Sequence, residues 1–382
     1  MNTLIYDIRA LNPETIRRAQ VMREADAMAE VEQAMAHVEE AARVLAGGGL
    51  VVFPTETVYG IGANAFDEGA VRRVYEAKGR PSDNPMIVHI SRASDIGALT
   101  PMLSPQIVKL ADNFWPGPLT MVLEKKQSVP SAVTGGLETV AVRLPDDFAA
   151  AELIRLAGCP VAAPSANLSG SPSPTKAEHA IADMDGRVDI ILAGGDCRVG
   201  IESTVVDMTV VPPEILRPGI LTADMLSAAI DEAVEYDPAL HVRAGGQGGL
   251  GDVSGGPAGT DAGGLGDSPG SGVAAPKSPG MKYRHYAPNA EMIVVEGRRD
   301  KVEAEVERLK KLNEKIGNKV GVILFEEQAY IEAAHGFYAR LRELDAGGAD
   351  LIIAGALSDK DGVGFAVMNR MMKSAGYNIV KV

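Results

Sequence analysis

Residues 78–90, "KGRPSDNPMIVHI", carry two cations, a polar turn with two prolines, and then a strand that is apolar except for His89. A predicted helix, "GAVRRVYEAKG", ends at the glycine between the cations, and the prolines stiffen the following loop. The ordinary interpretation makes Lys78 and Arg80 solvated surface cations and His89 a satisfied core residue. The alternative is a cationic pocket beside a buried strand, in a chain of formal net charge -14.

Apolar runs on both sides of this stretch predict further strands with helices between them. A helix is predicted over residues 14–46, broken near its middle and ending at a triple glycine. Two more are predicted in "AAAELIRLAG" and "KAEHAIADM". The predicted strands lie in "LVVFPTETVYGIGANAF", "MIVHI", "LTMVLEK", "TVAVRLP", "VAAPSA", "DIILAGG" and "STVVDM". The pattern predicts an α/β fold with a mixed twisted sheet and packed helices.

A break in composition divides the chain, whose 382 residues favour two domains. Glycine supplies 14 of the 37 residues in 244–280, which predicts a flexible linker. We therefore predict a large domain over residues 1–243, a linker over 244–289 and a small domain over 290–382. In the small domain, "EMIVVEG", "KVGVILF", "DLIIAGAL" and "NIVKV" alternate with helical stretches and predict a Rossmann-like parallel sheet. Its first strand lacks GxGxxG, which argues against dinucleotide binding.

Composition limits the function. An isoelectric point near 5.0 argues against stable nucleic-acid binding, which needs a basic face. The two cysteines, Cys159 and Cys197, cannot form a zinc site and suggest a reducing compartment. The first residues do not form a signal peptide, and no apolar run reaches the roughly 18 residues that span a bilayer. We expect a cytoplasmic protein without a membrane partner.

Hydroxyls and cations recur in the loops that follow the predicted strands. In "FPTETVYG", Thr55 and Thr57 are either turn residues or contacts to a polar ligand. Arg143, in an apolar strand, needs an anion, which could be Glu56, another carboxylate or a substrate carboxylate. "APSANLSGSPSPT" is either a phosphate or ribose cradle or an ordinary polar loop. Without a nucleophile elbow, HExxH, Walker A or kinase motif, these groups favour phosphoryl or nucleotidyl transfer.

Seven segments in this order resemble the YrdC-type domain: "FPTETVYGIGANA", "KGRPSDNPMIVHI", "FWPGPLT", "VAVRLP", "APSANLSGSPSPT", "GIESTVVD" and "LRPG". "SPGMKYRHYAP" and the small α/β domain extend the resemblance, from about residue 47 to the C-terminus, to two-domain threonylcarbamoyl-AMP synthases. The resemblance implies a nucleotidyltransferase that makes L-threonylcarbamoyl-AMP from L-threonine, bicarbonate and ATP and releases pyrophosphate. The product would serve the threonylcarbamoyl modification of the tRNA adenosine next to the anticodon.

The resemblance also implies site residues. The catalytic residues, which also bind ATP, would be Lys78, Arg80, Ser165 and Asn167. Further ATP contacts would come from Asn84, Thr139, Ser173, Thr204, Arg217 and Tyr283. L-Threonine would be bound by Thr55, His89, Arg143, Ser203 and the backbone near Ala163. Mg²⁺ would arrive with ATP, without side-chain metal ligands or an organic cofactor. "SPGMKYRHYAP" would fold over the pocket as a lid.

Three alternatives remain open at this point. An RNA-binding module would explain a cationic pocket, although the acidic total charge weakens it. A hydrogenase-maturation carbamoyltransferase carries a similar domain, but it adds cysteine-rich zinc fingers that two cysteines cannot supply. A regulatory protein could bind the nucleotide without turnover. For the synthase, we expect downstream tRNA-modification machinery as a partner, and the oligomeric state stays open.

Overall fold

Two sheets organise the computed structural model, which describes residues 1–242, 286–359 and 361–382. The larger sheet has eleven strands in the order β1-β8-β2-β3-β7-β4-β6-β5-β9-β10-β11 and mixes parallel with antiparallel pairs. Its strands are β1 (Leu4–Asp7), β2 (Val51–Phe53), β3 (Gly60–Asn64), β4 (Ile87–His89), β5 (Leu119–Glu124), β6 (Thr139–Arg143), β7 (Val161–Ala162), β8 (Ile190–Ala193), β9 (Thr204–Asp207), β10 (Glu214–Arg217) and β11 (Glu235–Tyr236). The predicted mixed α/β fold is confirmed.

Helices cover both faces of this sheet. They are α1 (Pro13–Gln20), α2 (Ala25–Ala46), α3 (Glu68–Lys78), α4 (Pro105–Phe114), α5 (Ser131–Thr134), α6 (Phe148–Ala157), α7 (Ala177–Met184), α8 (Ala223–Ile230) and α9 (Ala239–Val242), with a 3₁₀ helix at Ala93–Ala98. Successive strand residues face opposite sides. Val51 and Phe53 pack with α2 and α6, whereas Val52 packs in the core that contains α3, α4, α7 and α8.

The second sheet is smaller and entirely parallel, in the order β13-β14-β12-β15. Its strands are β12 (Glu291–Glu296), β13 (Val320–Ile323), β14 (Leu351–Gly355) and β15 (Ile379–Lys381). Its helices are α10 (Arg299–Lys315), α11 (Tyr330–Ala346) and α12 (Val363–Ser374). The predicted parallel sheet of the small domain is confirmed. Residues 243–285, which hold most of the predicted linker, Tyr283 and most of the lid motif, lie outside the described residues. The predicted domain boundaries stay a prediction.

Local chemistry explains how α3 and β4 position the stretch at residues 78–90. The Asp67 side chain caps the start of α3 by accepting a hydrogen bond from the Ala70 amide at 3.0 Å. Gly79 ends the helix at φ 61, a left-handed conformation that glycine adopts without steric cost. β4 then pairs in parallel with β6, which sets His89 opposite Arg143 in the sheet centre.

The N-terminal region differs in detail from the sequence prediction. The helix expected over residues 14–46 is two helices, α1 and α2, as the predicted break implies. β1 was not predicted, and it joins the sheet edge by pairing in parallel with β8, far along the chain. The predictions also missed β10, α4 and α8. A strand of four residues, such as β1 or β10, has little periodicity of its own and depends on tertiary packing.

Candidate active site

One cavity gathers the loops at the ends of the central strands. Its volume is about 70 Å³. It lies between the cationic turn after α3, the polar loop after β7 and the ends of β4, β6 and β10. Nine predicted site residues line it: Thr55, Lys78, Arg80, His89, Arg143, Ala163, Ser165, Asn167 and Arg217. A drug-sized ligand site normally measures about 300–1,000 Å³, so binding of a nucleotide would require wall side chains to reorient.

Lys78 is a buried cation held by neutral oxygens. Its Nζ donates short hydrogen bonds to the backbone carbonyls of Ser165 and Asn167. None of the ion pairs found among residues 1–242, 286–359 and 361–382 includes it. Burial lowers the pKa of the Lys78 ammonium well below its ordinary value, and the nearby Arg80 lowers it further. An anion entering the cavity would relieve this unfavourable burial.

Arg80 lies in the same wall and is also bound by carbonyls. Its Nε donates to the Asn84 carbonyl at 3.3 Å, and its Nη2 donates to the Pro85 carbonyl at 2.9 Å. Burial lowers the pKa of the Arg80 guanidinium to about 10. The Asn84 side chain does not line the cavity, and its backbone shapes the turn that holds Arg80. Lys78 is therefore not a solvated surface cation, and Arg80 is half-buried in the cavity wall.

The polar loop after β7 builds the opposite wall. Ser165 Oγ donates to Asn167 Oδ1 at 2.5 Å, and Asn167 Nδ2 donates to the carbonyls of Leu168 and Ser171 at 2.8 and 2.9 Å. These bonds fold the loop upon itself and turn its backbone carbonyls toward Lys78. Ser165 and Asn167 thus lie beside the cation, as the resemblance implies.

Arg143 has a carboxylate partner, and of the three candidates it is Glu56. Arg143 Nη2 lies 2.6 Å from Glu56 Oε2 in an ion pair that is poorly aligned as a hydrogen bond. Its Nη1 donates to Thr57 Oγ1 at 3.0 Å, and its Nε to the Gly117 carbonyl at 3.3 Å. Arg143 and Glu56 are both buried. Arg143 lines this end of the cavity, and the buried Glu56 compensates its charge.

Thr55 and His89 complete the predicted threonine end. Thr55 Oγ1 donates to the Val58 carbonyl at 2.6 Å and accepts from the Thr57 amide at 3.2 Å, so Thr55 is a turn residue that also lines the cavity. His89 Nδ1 lies 3.2 Å from the Ile87 carbonyl. Burial, assisted by Arg143, lowers the pKa of His89 to about 3. The imidazole is therefore neutral at physiological pH.

Arg217 reaches the cavity from the end of β10. Its Nε and Nη2 donate to the Ser203 carbonyl and Ser203 Oγ, at 3.1 and 3.0 Å. Ser203 Oγ also lies 2.8 Å from Thr120 Oγ1. Ser203 does not line the cavity and instead holds Arg217 in place. Burial lowers the pKa of Arg217, with Tyr286 and Glu202 opposing the shift.

Three other predicted residues lie outside the cavity lining. Thr139 begins β6, about 13 Å along the strand from Arg143 at the usual rise per residue. Thr204 Oγ1 donates to the Leu221 carbonyl at 2.8 Å, and Ser173 Oγ donates to Glu202 at 2.6 Å. The ligand contacts of these three residues, like those of Asn84 and Ser203, stay predictions. Tyr283 lies outside the described residues.

Among the lining residues that the sequence assignments missed, Thr57, Glu202 and Tyr286 carry polar side chains that contact other site residues. Glu202 lies within the quoted "GIESTVVD", and Tyr286 lies in the lid motif. A carboxylate directly before Ser203 and Thr204, where a predicted strand begins, was the available signal for Glu202. Tyr286 could be found only from the tertiary structure, because its position depends on the small domain.

A second cleft, of about 1020 Å³, lies between α7 and the small domain, and none of the predicted site residues that the structure describes lines it. Among residues 1–242, 286–359 and 361–382, no cluster of His, Cys, Asp and Glu side chains is arranged to hold a metal ion. Over the same residues, every helix is too short or too polar to cross a membrane.

Buried cations and hydroxyls at the ends of the strands of a mixed α/β sheet define a pocket for an anionic substrate, as enzymes of phosphoryl and nucleotidyl transfer require. Two family models match the chain. The Sua5/YciO/YrdC model, described as telomere recombination, matches residues 43–219, and the model of the threonylcarbamoyl-AMP synthase C-terminal domain matches residues 250–376.

Full-length relatives agree with the family models. The threonylcarbamoyl-AMP synthase of Pyrococcus abyssi is 45% identical over 89% of this chain and 95% of its own length. That of Bacillus subtilis is 41% identical over 90% and 94%. A solved structure of P. abyssi Sua5 complexed with L-threonine has a TM-score of 0.79 at 44% identity, over 90% of this chain and 96% of that one.

The chain belongs to the two-domain threonylcarbamoyl-AMP synthase family. The predicted resemblance is confirmed, and so is the prediction of an enzyme of the nucleotidyltransferase type.

Proposed function

We propose that this enzyme makes L-threonylcarbamoyl-AMP from L-threonine, bicarbonate and ATP and releases pyrophosphate. The observation that carries the proposal is one cavity with two chemically different ends. Lys78, Arg80 and Arg217 supply buried positive charge at one end, and Thr55, His89 and Arg143 form the other. Support also comes from the relatives' names and from the threonine complex of the P. abyssi protein.

The reaction has two steps. The neutral amine of threonine forms a bond to the bicarbonate carbon, and water leaves to give a carbamate. A carbamate oxygen then attacks the α-phosphorus of ATP, and the bond from that phosphorus to the pyrophosphate oxygen breaks. Neither step needs a covalent enzyme intermediate, in keeping with a site that offers positioning and charge rather than an activated nucleophile.

The two cavity ends would divide this work. Lys78, Arg80 and Arg217 would stabilise the charge that builds up on the phosphates. Arg143 would bind the threonine carboxylate through donors that remain beyond its bonds to Glu56, Thr57 and Gly117, since a guanidinium has five N–H groups. The neutral His89 would contact the amine and hydroxyl side without adding charge.

Mg²⁺ would enter with ATP, held by phosphate oxygens. Glu202 is the one carboxylate among the described residues that line the cavity. Its oxygens already accept hydrogen bonds from Ser173, Tyr338 and Arg370, so it is poorly placed as a metal ligand. The ion would neutralise charge on the departing pyrophosphate.

We further propose that the product passes in the cytoplasm to the machinery that modifies tRNA adenosine beside the anticodon. The net charge of -14 supports an enzyme that does not itself hold nucleic acid stably. A filter-binding series in rising salt tests the RNA-binding alternative, because a protein that tracks phosphates must lose affinity steeply with salt.

Pyrophosphate release from Mg-ATP tests the proposed reaction. We expect release with threonine and bicarbonate together, and background rates when either is left out. Serine should be the poorer substrate by about 1–3 kcal/mol, because it lacks the methyl group. Release that ignores both co-substrates would overturn the proposal, and ATP binding without any release would favour the regulatory alternative.

A further inference from the structure

A buried polar cluster joins the small domain to the floor of the nucleotide end. At its centre is Glu202, from the loop before β9. Its Oε1 accepts from Ser173 Oγ at 2.6 Å, and both its oxygens lie 3.1 Å from the Tyr338 hydroxyl on α11. Arg370 Nε, on α12, donates to Oε2 at 3.1 Å. These four residues are all buried, and Arg370 and Tyr338 are completely so.

Arg370 also reaches the strand that carries Arg217. Its Nη1 donates a short hydrogen bond to the carbonyl of Pro218, the residue that follows Arg217. A single small-domain side chain therefore contacts two segments of the large domain, one at Glu202 and one at Pro218. Ser173 is hydrogen-bonded to Glu202, which Arg370 also contacts, and Arg217 directly precedes Pro218 in the chain. Both Ser173 and Arg217 are predicted to bind ATP.

Tyr286 receives the same kind of support. Ser374 Oγ, also on α12, donates to the Tyr286 carbonyl at 2.8 Å. The Tyr286 ring lies 5.4 Å from the Tyr338 ring, centre to centre, and lines the cavity. The neighbouring Ala287 amide donates to the Gly170 carbonyl of the polar loop at 2.7 Å. The small domain thus fixes this wall residue from behind.

The positive charges of Arg370 and Arg217 allow the buried Glu202 to remain ionised. Burial alone would raise the pKa of Glu202, but Arg370, Arg217 and the Ser173 hydrogen bond outweigh it and hold that pKa below its ordinary value. A buried ion pair adds little stability compared with a well-packed apolar group of the same size, yet it fixes the geometry of its members. The arrangement is therefore better suited to positioning than to holding the domains together.

We propose that Arg370 and Tyr338 are positioning residues for nucleotide binding. They fix Glu202, which orients the Ser173 hydroxyl, and Arg370 also fixes the backbone beside Arg217. The small domain in this way supports the cavity at Glu202, Ser173 and Arg217, and none of its described residues is hydrogen-bonded to Thr55, His89 or Arg143. This proposal rests on the proposed function, since it assigns the two cavity ends to the two substrates.

Tyr338→Phe is the gentlest test, because it removes the hydroxyl that bonds Glu202 and keeps the ring beside Tyr286. We expect the KM for ATP to rise about tenfold, the loss typical of a hydrogen bond to a buried charge. The dissociation constant of threonine, from calorimetry, should stay unchanged. The matched control is Tyr236→Phe, which removes an interdomain hydrogen bond, 2.7 Å to the Asp361 carbonyl, away from this cavity. The control should leave the KM for ATP as it is.

A double variant tests the role of Arg370 without leaving an unpaired buried charge that could unfold the protein. Arg370→Met alone would leave Glu202 as an unpaired buried charge, so Arg370→Met is combined with Glu202→Gln, which keeps the pair neutral. The double variant should retain a cooperative thermal transition and threonine affinity while losing ATP affinity. Arg370→Lys, which keeps the charge, should recover part of that affinity.

Equal losses for ATP and threonine, or an unchanged KM for ATP in Tyr338→Phe, would overturn the positioning role. A different result would contradict the proposed function. In that case the unaltered protein itself gives no pyrophosphate release dependent on threonine and bicarbonate. Direct calorimetry with Mg-ATP then still measures whether Tyr338→Phe weakens nucleotide binding relative to Tyr236→Phe.

Discussion

The cations at the two ends of the cavity have different hydrogen-bond and charge partners. Arg143 has a full carboxylate partner, Glu56, at 2.6 Å, together with a hydroxyl and a carbonyl. Within the described part of the chain, Lys78 and Arg80 are bonded to neutral oxygens, chiefly the backbone carbonyls of the loops around them. Among the described residues, Arg143 has a carboxylate partner before any ligand arrives, and Lys78 and Arg80 have none.

The difference predicts that Arg143 keeps its geometry with or without a ligand, whereas Lys78 and Arg80 gain a charge partner when an anion binds. A paired guanidinium keeps one geometry and has spare N–H groups to orient a substrate carboxylate. A desolvated ammonium whose described partners are carbonyl oxygens gains a large electrostatic benefit when phosphate oxygens approach, as the lowered pKa of Lys78 indicates. We therefore expect ATP to raise the pKa of Lys78, and threonine to have little effect on it.

Removing the compensated cation should have the largest effect on stability. Arg143→Ala strands the buried Glu56 carboxylate, and loss of one partner of a buried pair typically costs about 3–5 kcal/mol. Urea denaturation measures that loss, and calorimetry should find threonine affinity lowered by more than the roughly 1–3 kcal/mol that one methyl group provides. Arg143→Met with Glu56→Gln should regain stability but not threonine affinity. Unchanged threonine affinity in Arg143→Ala would reject the assignment.

Removing an uncompensated cation should act on catalysis instead. Lys78→Ala or Arg80→Ala should lower pyrophosphate release by at least tenfold, because each cation contributes more than about 1.4 kcal/mol to the transition state. Threonine affinity should stay near normal in both. Arg72→Ala provides the control, since Arg72 lies on the same helix in an exposed ion pair with Glu68. Near-normal turnover in both pocket variants would remove the distinction between the two ends.

The smallest expected effect is a pH dependence of the free energy of unfolding that arises from His89, beside Arg143. The folded pKa of His89, about 3, lies below the unfolded value near 6.5, so its stabilising contribution is complete above pH 6.5 and declines as pH falls toward 3. Between pH 7 and pH 5.5 the loss should be about 1 kcal/mol. His89→Gln should show a correspondingly flatter curve in urea denaturation. His179 shifts in the same direction, so the difference between the two proteins is the quantity to compare. Parallel curves would mean that His89 is not buried as a neutral ring.

The sequence by itself determined the elements whose signals are local. The parallel sheet of the small domain follows from four apolar runs alternating with charged helices, and the end of α3 follows from Gly79. The ordered motifs also identified the family and half of the cavity-lining residues, because each loop carries its polar residues within a few positions of a strand. Periodicity and turn chemistry are properties of neighbouring residues, so they can be read without a fold.

Only the tertiary structure decided which distant groups meet. The sequence left three kinds of partner open for Arg143: Glu56, another carboxylate or a substrate carboxylate. The structure places Glu56, in the turn after β2, beside Arg143 on β6, which pairs with β4 and β5. Glu202 and Arg370 are 168 positions apart, and nothing near either residue indicates the other. β1 likewise becomes a strand only because β8 offers it an edge. Burial makes such pairings obligatory, since a charge or backbone group removed from water must find a partner, but chain topology decides which partner is within reach.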